Sequence, residues 1–262
     1  MNKLTFEGQT AIVTGAGTGI GFEIARQLCE QGAAVLLNDI DEKLSNEAAE
    51  KIKSEGGKCI ALAGDAGNID FIQKLVNLAV SEFDQLNIAI ANAGITTYGS
   101  FLDYSPESFQ KIIHLNLQGS FFLAQTVARQ MKAQKSGGRI LLMSSVTGVQ
   151  AHPFLVPYGM TKAALQMLAK GLVCELSQFG ITVNAIAPGA VVTERTLSED
   201  PDYPKEWSKL TPTRNVTYPK DVAQTALFLV SPHSGQVNGQ TIVVDGGWSN
   251  TSPTPDLDFP EG

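Results

Sequence analysis

The sequence predicts an α/β protein: a single Rossmann-type, doubly wound parallel sheet of about seven strands, flanked by helices on both faces. Three observations carry this expectation. Short apolar runs alternate with longer amphipathic stretches, the rhythm of repeated βαβ units. The apolar runs are near-continuous in Val, Ile, Leu and Ala instead of alternating with polar residues, which marks strands buried on both faces. Glycine-rich and polar clusters follow the runs directly, at the end of an open α/β sheet where ligands bind.

The elements follow in order. Residues 10–14 (TAIVT) form the first strand and 20–31 the first helix, stopped by Gly32. Strand 33–38 precedes helix 41–55, which ends at Gly56-Gly57. Strand 58–63, helix 70–83 and strand 86–91 come next. Ser105-Pro106-Glu107 supplies an N-cap serine, a first-turn proline and an acid, and opens one long helix to about residue 133. Strand 139–143, a long helix 156–179 stopped by Gly180, and strand 181–186 follow. Residues 190–218 read as an irregular, Pro-rich, charged lid over the substrate. Pro219 opens the last helix, and residues 241–244 form the last strand.

The chain has 262 residues, with no linker, repeat or low-complexity segment, so residues 1–248 are read as one domain and 249–262 as a Pro-rich tail. That tail either reaches a neighbouring subunit or is disordered. A hydrophobic fraction of 43% and a charged fraction of 17% are those of a globular protein. The net charge of -7 repels phosphate backbones and argues against a nucleic-acid partner. No run approaches the ~18 apolar residues of a membrane helix. Residues 1–8 lack the apolar core of a secretory signal, so the cytoplasm is the expected compartment. Cys29, Cys59 and Cys174 form no Cys-x-x-Cys pair and are expected to be reduced, buried or half-buried thiols.

After the first strand comes Thr14-Gly-Ala-Gly-Thr-Gly-Ile-Gly21. The Gly-x-Gly-x-x-Gly dinucleotide pattern fits in no register; Gly-x-x-x-Gly-x-Gly, on Gly15, Gly19 and Gly21, does. A glycine loop alone could be a plain tight turn. Between the first strand and first helix it points to a phosphate held by backbone N–H groups at a helix N-terminus. Asp39 ends the second strand 18 residues past Gly21, close to the spacing of an acid that accepts the adenosine ribose hydroxyls. Its other reading is an N-cap for the next helix, a job open to Asp41. Asn92-Ala93-Gly94, Ser144-Ser145 and Pro188-Gly189 each follow a strand. Tyr158 and Lys162, four apart, share one helix face.

These residues, in this order and on these elements, resemble the short-chain dehydrogenase/reductase family over about residues 6–248, down to Asp245-Gly246-Gly247. Tyr-x-x-x-Lys alone carries little weight; Ser145 thirteen residues before Tyr158 and the other motifs carry the rest. The resemblance implies Tyr158 as acid/base, Lys162 as the cation that lowers its pKa and holds the nicotinamide ribose, Ser145 as the substrate's hydrogen-bond partner, and Asn116 as keeper of a water behind Lys162. It implies a cofactor site of Gly15, Thr18, Gly19, Ile20, Gly21, Asp39, Asp65 and Ala66 at the adenine, and Asn92, Ala93, Gly94, Tyr158, Lys162, Pro188, Gly189, Val191 and Thr193, the last on the carboxamide. The pair of asparagines usual before Ala-Gly is here Ala91-Asn92.

The implied activity is hydride transfer between nicotinamide and an alcohol or ketone. The cofactor is NAD more than NADP, because Asp39 meets a 2′-phosphate as a like charge, and Thr18, Ile40 and Asp41 supply no cation. No His/Cys/Asp cluster suggests a metal. Pro188 to Arg195 (PGAVVTER) resembles sugar-oxidising members such as glucose and xylose dehydrogenases, with Gln150, His152, Glu194 or Arg195 as polar contacts. The runner-up substrate is a 3-oxoacyl thioester, with sterols third. A non-catalytic NAD sensor of the same fold would be expected to lack Ser145, Tyr158 or Lys162. The family also implies a homotetramer packed through the two long helices and last strand; Leu165, Leu168, Leu172 and Leu176 fit that face or the core equally.

Overall fold

The computed structural model describes residues 4–251, so the tail from residue 252 onward lies outside the described residues. Seven parallel strands form one sheet in the order β3-β2-β1-β4-β5-β6-β7. They are β1 (Thr10–Thr14), β2 (Ala34–Asn38), β3 (Lys58–Ala61), β4 (Ile88–Ala91), β5 (Gly138–Met143), β6 (Ile181–Pro188) and β7 (Thr241–Val244). Between them run α1 (Gly19–Glu30), α2 (Glu42–Ser54), α3 (Ile69–Phe83), α4 (Pro106–Ile112), α5 (Ser120–Gln134), α6 (Val156–Leu176), α7 (Glu194–Glu199), α8 (Tyr203–Leu210) and α9 (Pro219–Val230).

The continuous apolar strands are buried on both faces. In β1, Ala11 and Val13 join the core beneath α1, α2 and α9, while Ile12 points to the core beneath α3, α5 and α6. β4 divides the same way, Ile88 and Ile90 against Ala89 and Ala91. A period-2 backbone with apolar residues at every position demands a helical layer on each side.

The caps follow local chemistry. Asp41 caps α2, its Oδ1 accepting the Leu44 N–H at 3.0 Å; Asn68 does the same for α3 with Phe71 N–H at 3.0 Å. Ser105 caps α4 with Pro106 in its first turn. The chain turns left-handed at Gly180 after α6 and a closing 3₁₀ turn.

Two expectations need correction. The single helix over 105–133 is α4 and α5 joined by a π-helical segment, Ile113–Gly119. Its wider turns aim three side chains at neighbouring loops: His114 at Asp65, Asn116 at the Ile95 backbone and Gln118 at the Gly67 carbonyl. These tertiary hydrogen bonds override the i→i−4 ladder, and hydrophobic periodicity carries no trace of them. The stretch 190–218, expected to be irregular, contains α7 and α8. A reciprocal Thr193–Thr196 capping box starts α7, and a proline sits in the first turn of α8. Both helices are too short for their periodicity to stand out among charges and prolines. Cys29 and Cys59 are buried; Cys174, contrary to expectation, is exposed on α6.

Leu141, fully buried in β5 between β4 and β6, tests the packing that carries Ser145. Leu141→Ala is expected to lower the unfolding free energy by ~2–5 kcal/mol in a urea titration. A loss below ~1 kcal/mol would show a strand far less tightly packed than described.

Candidate active site

Strand order reverses between β1 and β4, and α1 and α5 leave on opposite faces of the sheet. Two adjoining cavities of about 310 and 600 Å³ open over the carboxyl ends of these strands and share Gly15, Asn92 and Gly94, forming one continuous groove.

One end of the groove is built from the β1–α1 turn. Gly15 has φ +61°, and a Cβ there would stand 2.8 Å from the Ala93 Cα; at Gly21 it would stand 2.3 Å from the Gly15 carbonyl. Neither position admits a side chain. Asn92 fastens this turn to β4, its Nδ2 donating to the carbonyls of Thr14 (2.9 Å) and Gly15 (2.8 Å). The Thr14 hydroxyl accepts the N–H groups of Asn92 and Ala93, each at 3.1 Å. α1 has no side-chain cap at Thr18 and no acid in its first turn. Its leading N–H groups, beside a cleared backbone surface, suit a diphosphate.

Asp39 closes the groove beyond β2. Its Oδ2 accepts the Gly17 N–H at 3.0 Å and its Oδ1 the Asp41 N–H at 3.2 Å, and Asp41, not Asp39, caps α2. Asp65, Ala66 and Ala93 line the same cavity, together with Lys111 and His114. The Asp65 carboxylate faces His114 Nε2 at 2.8 Å and accepts the Gly67 N–H at 2.8 Å. Partial burial works against its charge, but the hydrogen bonds from His114 and Gly67 prevail and hold its pKa below the usual carboxylate range.

At the other end the cleft is lined by Thr18, Gly19, Ile20 and Gly21 from the first turn and by Pro188, Gly189, Val191 and Thr193 after β6. Ser145, Tyr158 and Lys162 converge on the same cleft. Lys162 is 3% exposed and donates to the Met143 carbonyl at 2.7 Å, its Nζ 5.5 Å from the Tyr158 ring centroid. Desolvation pulls its pKa down to about 8. Burial also pushes the Tyr158 phenol above its ordinary value; the hydroxyls of Ser145 and Thr96 and the charge of Arg195 act in the opposite direction.

Asn116 is fully buried and does not line the cleft. Its amide clamps the Ile95 backbone, accepting from Ile95 N–H at 2.8 Å and donating to its carbonyl at 2.9 Å, and it also donates to Thr161 Oγ1 at 3.3 Å. Both amide hydrogens are committed, which leaves a water only an Oδ1 lone pair. Of the four residues considered for substrate, Arg195 lines the cleft. His152 stacks on Trp248 instead, with centroids 5.0 Å apart, and Gln150 leans on His152. Sequence reasoning missed Thr96 and Tyr203, which also line the cleft. Thr96 is one threonine in a loop, and Tyr203 lay in the stretch read as irregular.

Residues 15–249 match a family model described as enoyl-(acyl carrier protein) reductase. The chain is 34% identical to the L-rhamnose-1-dehydrogenase of Scheffersomyces stipitis, covering 92% of this chain and 95% of that one. The chain belongs to the short-chain dehydrogenase/reductase family. It is 37% identical to the versicolorin reductase of Emericella nidulans, covering 92% and 96% of the two chains. Among solved structures, this short-chain dehydrogenase/reductase superposes on a gluconate 5-dehydrogenase from Burkholderia cenocepacia, in complex with NADP and tartrate, with a TM-score of 0.88, 32% identity and 96% and 99% coverage. It is an oxidoreductase acting on CH–OH groups with a nicotinamide cofactor. Among the described residues no helix is long and apolar enough to cross a membrane, and no three His, Cys, Asp or Glu are grouped to hold a metal ion.

The buried Lys162 makes stability depend on pH. Its folded pKa of about 8 lies below the ordinary 10.5, so between these values the unfolded chain binds the extra proton and the free protein gains stability as pH rises. Below that window the desolvated cation lowers stability by a constant amount. Lys162→Met removes this dependence. The variant's stability relative to wild type should therefore be higher at pH 7 than near pH 10, by an amount on the order of 2–3 kcal/mol in urea unfolding. A difference that does not change with pH would show that Lys162 titrates normally.

Proposed function

We propose that this chain is an NAD-dependent dehydrogenase/reductase that interconverts a secondary hydroxyl and a ketone on a small polyhydroxylated, sugar-type substrate, with Tyr158 as the acid/base. The observation that carries the reading is the convergence of Ser145, Tyr158 and Lys162 on one cleft beside the glycine-lined turn. A non-catalytic sensor has no need of that assembly.

Nicotinamide, when bound, supplies the hydride acceptor or donor. The chain supplies the proton. In oxidation the Tyr158 phenolate takes the proton from the substrate hydroxyl oxygen as the hydride leaves the carbon that bears it; in reduction the phenol returns the proton to that oxygen. Lys162, its Nζ 5.5 Å from the ring centroid, places a positive charge beside the tyrosine and favours the phenolate. Ser145 holds the substrate oxygen against Tyr158. Asn116 acts at a distance, fixing the Ile95 backbone beside the cleft and leaving a lone pair for the water behind Lys162.

The sugar-type substrate is supported by the polar lining from Thr96, Ser144, Ser145, Arg195 and Tyr203, and by the rhamnose and gluconate dehydrogenases among the relatives. A 3-oxoacyl chain or sterol calls for a more apolar cleft. The NAD preference rests on Asp39, anchored by two backbone N–H groups at the ribose end of the groove. Its carboxylate favours two free ribose hydroxyls and repels a 2′-phosphate, whereas the Burkholderia relative holds NADP. Lys111 lines the same cavity, and His114 there is committed to Asp65. A homotetramer in the cytoplasm completes the proposal. Its subunit contact is supported by an apolar groove of about 830 Å³ between α5 and α6, where Phe121 and Met167 are exposed.

Tyr158→Phe is expected to lower kcat at least ~100-fold while NADH affinity, measured by fluorescence, stays within about twofold. Retention of more than about a tenth of wild-type kcat, a barrier change under ~1.4 kcal/mol, refutes the assignment. For the cofactor, wild-type kcat/KM should favour NAD over NADP by at least ~30-fold, and Asp39→Ala should cut that preference at least ~10-fold. Equal efficiency with both cofactors in the wild type would remove the argument from Asp39.

A further inference from the structure

We propose that Arg195 is the anion-recognition residue of the substrate cleft and that the substrate carries a carboxylate: a small polyhydroxy acid of the aldonate type, not a neutral sugar. The inference rests on the polyhydroxylated substrate proposed above and narrows its chemical class.

The charge of the cleft is the first support. The chain carries 26 acidic against 19 basic residues, yet two cations, Lys162 and Arg195, line this cavity and no acidic side chain among the described residues does, although Glu194 Oε2 comes within 3.9 Å of where a Cβ on Gly19 would stand. A positive pocket in an acidic protein selects an anion through its local field. Lys162 is buried and tied to the Met143 carbonyl, at the tyrosine where the reacting hydroxyl sits. That leaves Arg195 for the far end of the substrate.

Arg195 stands in the first turn of α7 with its side chain 60% exposed, and it lines the cleft together with Tyr158 and Tyr203. One nitrogen, Nη1, donates to Glu199 Oε1 at 3.2 Å. Such an exposed i,i+4 pair is weak and exchangeable. The guanidinium keeps donors in a planar fork that matches a carboxylate in two parallel hydrogen bonds, which a hydroxyl does not reproduce.

The helix after the one that carries Arg195 is fixed by aromatic contacts. Tyr203 packs on Trp207 at 5.7 Å, Trp207 on Trp248 edge-on at 4.9 Å, and Trp248 on His152 at 5.0 Å. This aromatic row ties α8 to the segment after β7 and to the loop before α6. Both tryptophans of the chain belong to it, so intrinsic tryptophan fluorescence reports on this aromatic row.

The test compares D-gluconate with sorbitol, which carries CH₂OH where gluconate has its carboxylate, in the intact enzyme with NAD and with NADP. Gluconate is expected to exceed sorbitol in kcat/KM by about 10- to 100-fold, mainly through KM, and to lose that lead as ionic strength rises. Arg195→Gln should collapse the ratio by at least ~10-fold, and Arg195→Lys should restore part of it. Tartrate titrated into the enzyme–NADH complex should change tryptophan fluorescence in the wild type and not in Arg195→Gln. Sorbitol used as well as or better than gluconate, or an unchanged ratio in Arg195→Gln, overturns this inference and leaves the polyhydroxylated reading standing. A loss of NADH affinity in Arg195→Gln with the ratio intact overturns it too, because Arg195 then serves the cofactor diphosphate. Failure to turn over gluconate, sorbitol or L-rhamnose with either cofactor overturns both.

Discussion

Between β1 and β4 the sheet reverses its winding, and the helices that follow the two strands pack on opposite faces. The groove between them exists because Asn92, at the end of β4, reaches across to hold the carbonyls of Thr14 and Gly15. Without that bridge the β1–α1 turn would be a glycine-rich loop free to sample many conformations. With it, the first N–H groups of α1 face a cleared surface at a fixed distance from the strand that follows. Asp39 is tied to the same turn through Gly17 N–H, so the turn is held by one side-chain amide and one carboxylate.

Lys162 shows how the catalytic end is held. A cation that is 3% exposed is costly, and its lowered pKa records that cost. The fold holds it by aiming the ammonium at the Met143 carbonyl, the last residue of β5, while the Ser144 hydroxyl bonds back to the Lys162 carbonyl at 2.8 Å. The end of β5 and the start of α6 therefore grip each other through two reciprocal hydrogen bonds, and Ser145 and Tyr158 are carried on the two elements so joined. The π segment adds the third support. Its side chains brace the loops after β3 and β4, so the adenine end and the Tyr158 end share one piece of chain.

The lid has a different character. α7 and α8 are short: the Thr193–Thr196 pair starts α7, a backbone bridge from Val191 to Thr217 joins the two ends of the segment, and an aromatic row ties α8 to the segment after β7. It also brings Arg195 and Tyr203 into the lining of the cleft.

Much of this protein was determined by its sequence alone. Apolar runs at every strand position require a covered parallel sheet, and Asp41, Asn68, Ser105 and Gly180 set helix ends by local hydrogen bonding and backbone freedom. Gly15, Gly19 and Gly21, Asp39, and the spacing of Ser145, Tyr158 and Lys162 were legible because residue type and position on an element coincide there. Tertiary structure decided what depends on partners distant in the chain. The π segment forms because Asp65, Gly67 and Ile95 offer hydrogen bonds at 113–119, and periodicity cannot register those. Asn116 became a clamp on Ile95, and His152 left the cleft wall for Trp248, for the same reason. Thr96 and Tyr203 join Arg195 in the lining of the Tyr158 cleft only because the loop after β4 and the helices α7 and α8 fold over it, and side chains so assembled leave no pattern in the order of residues.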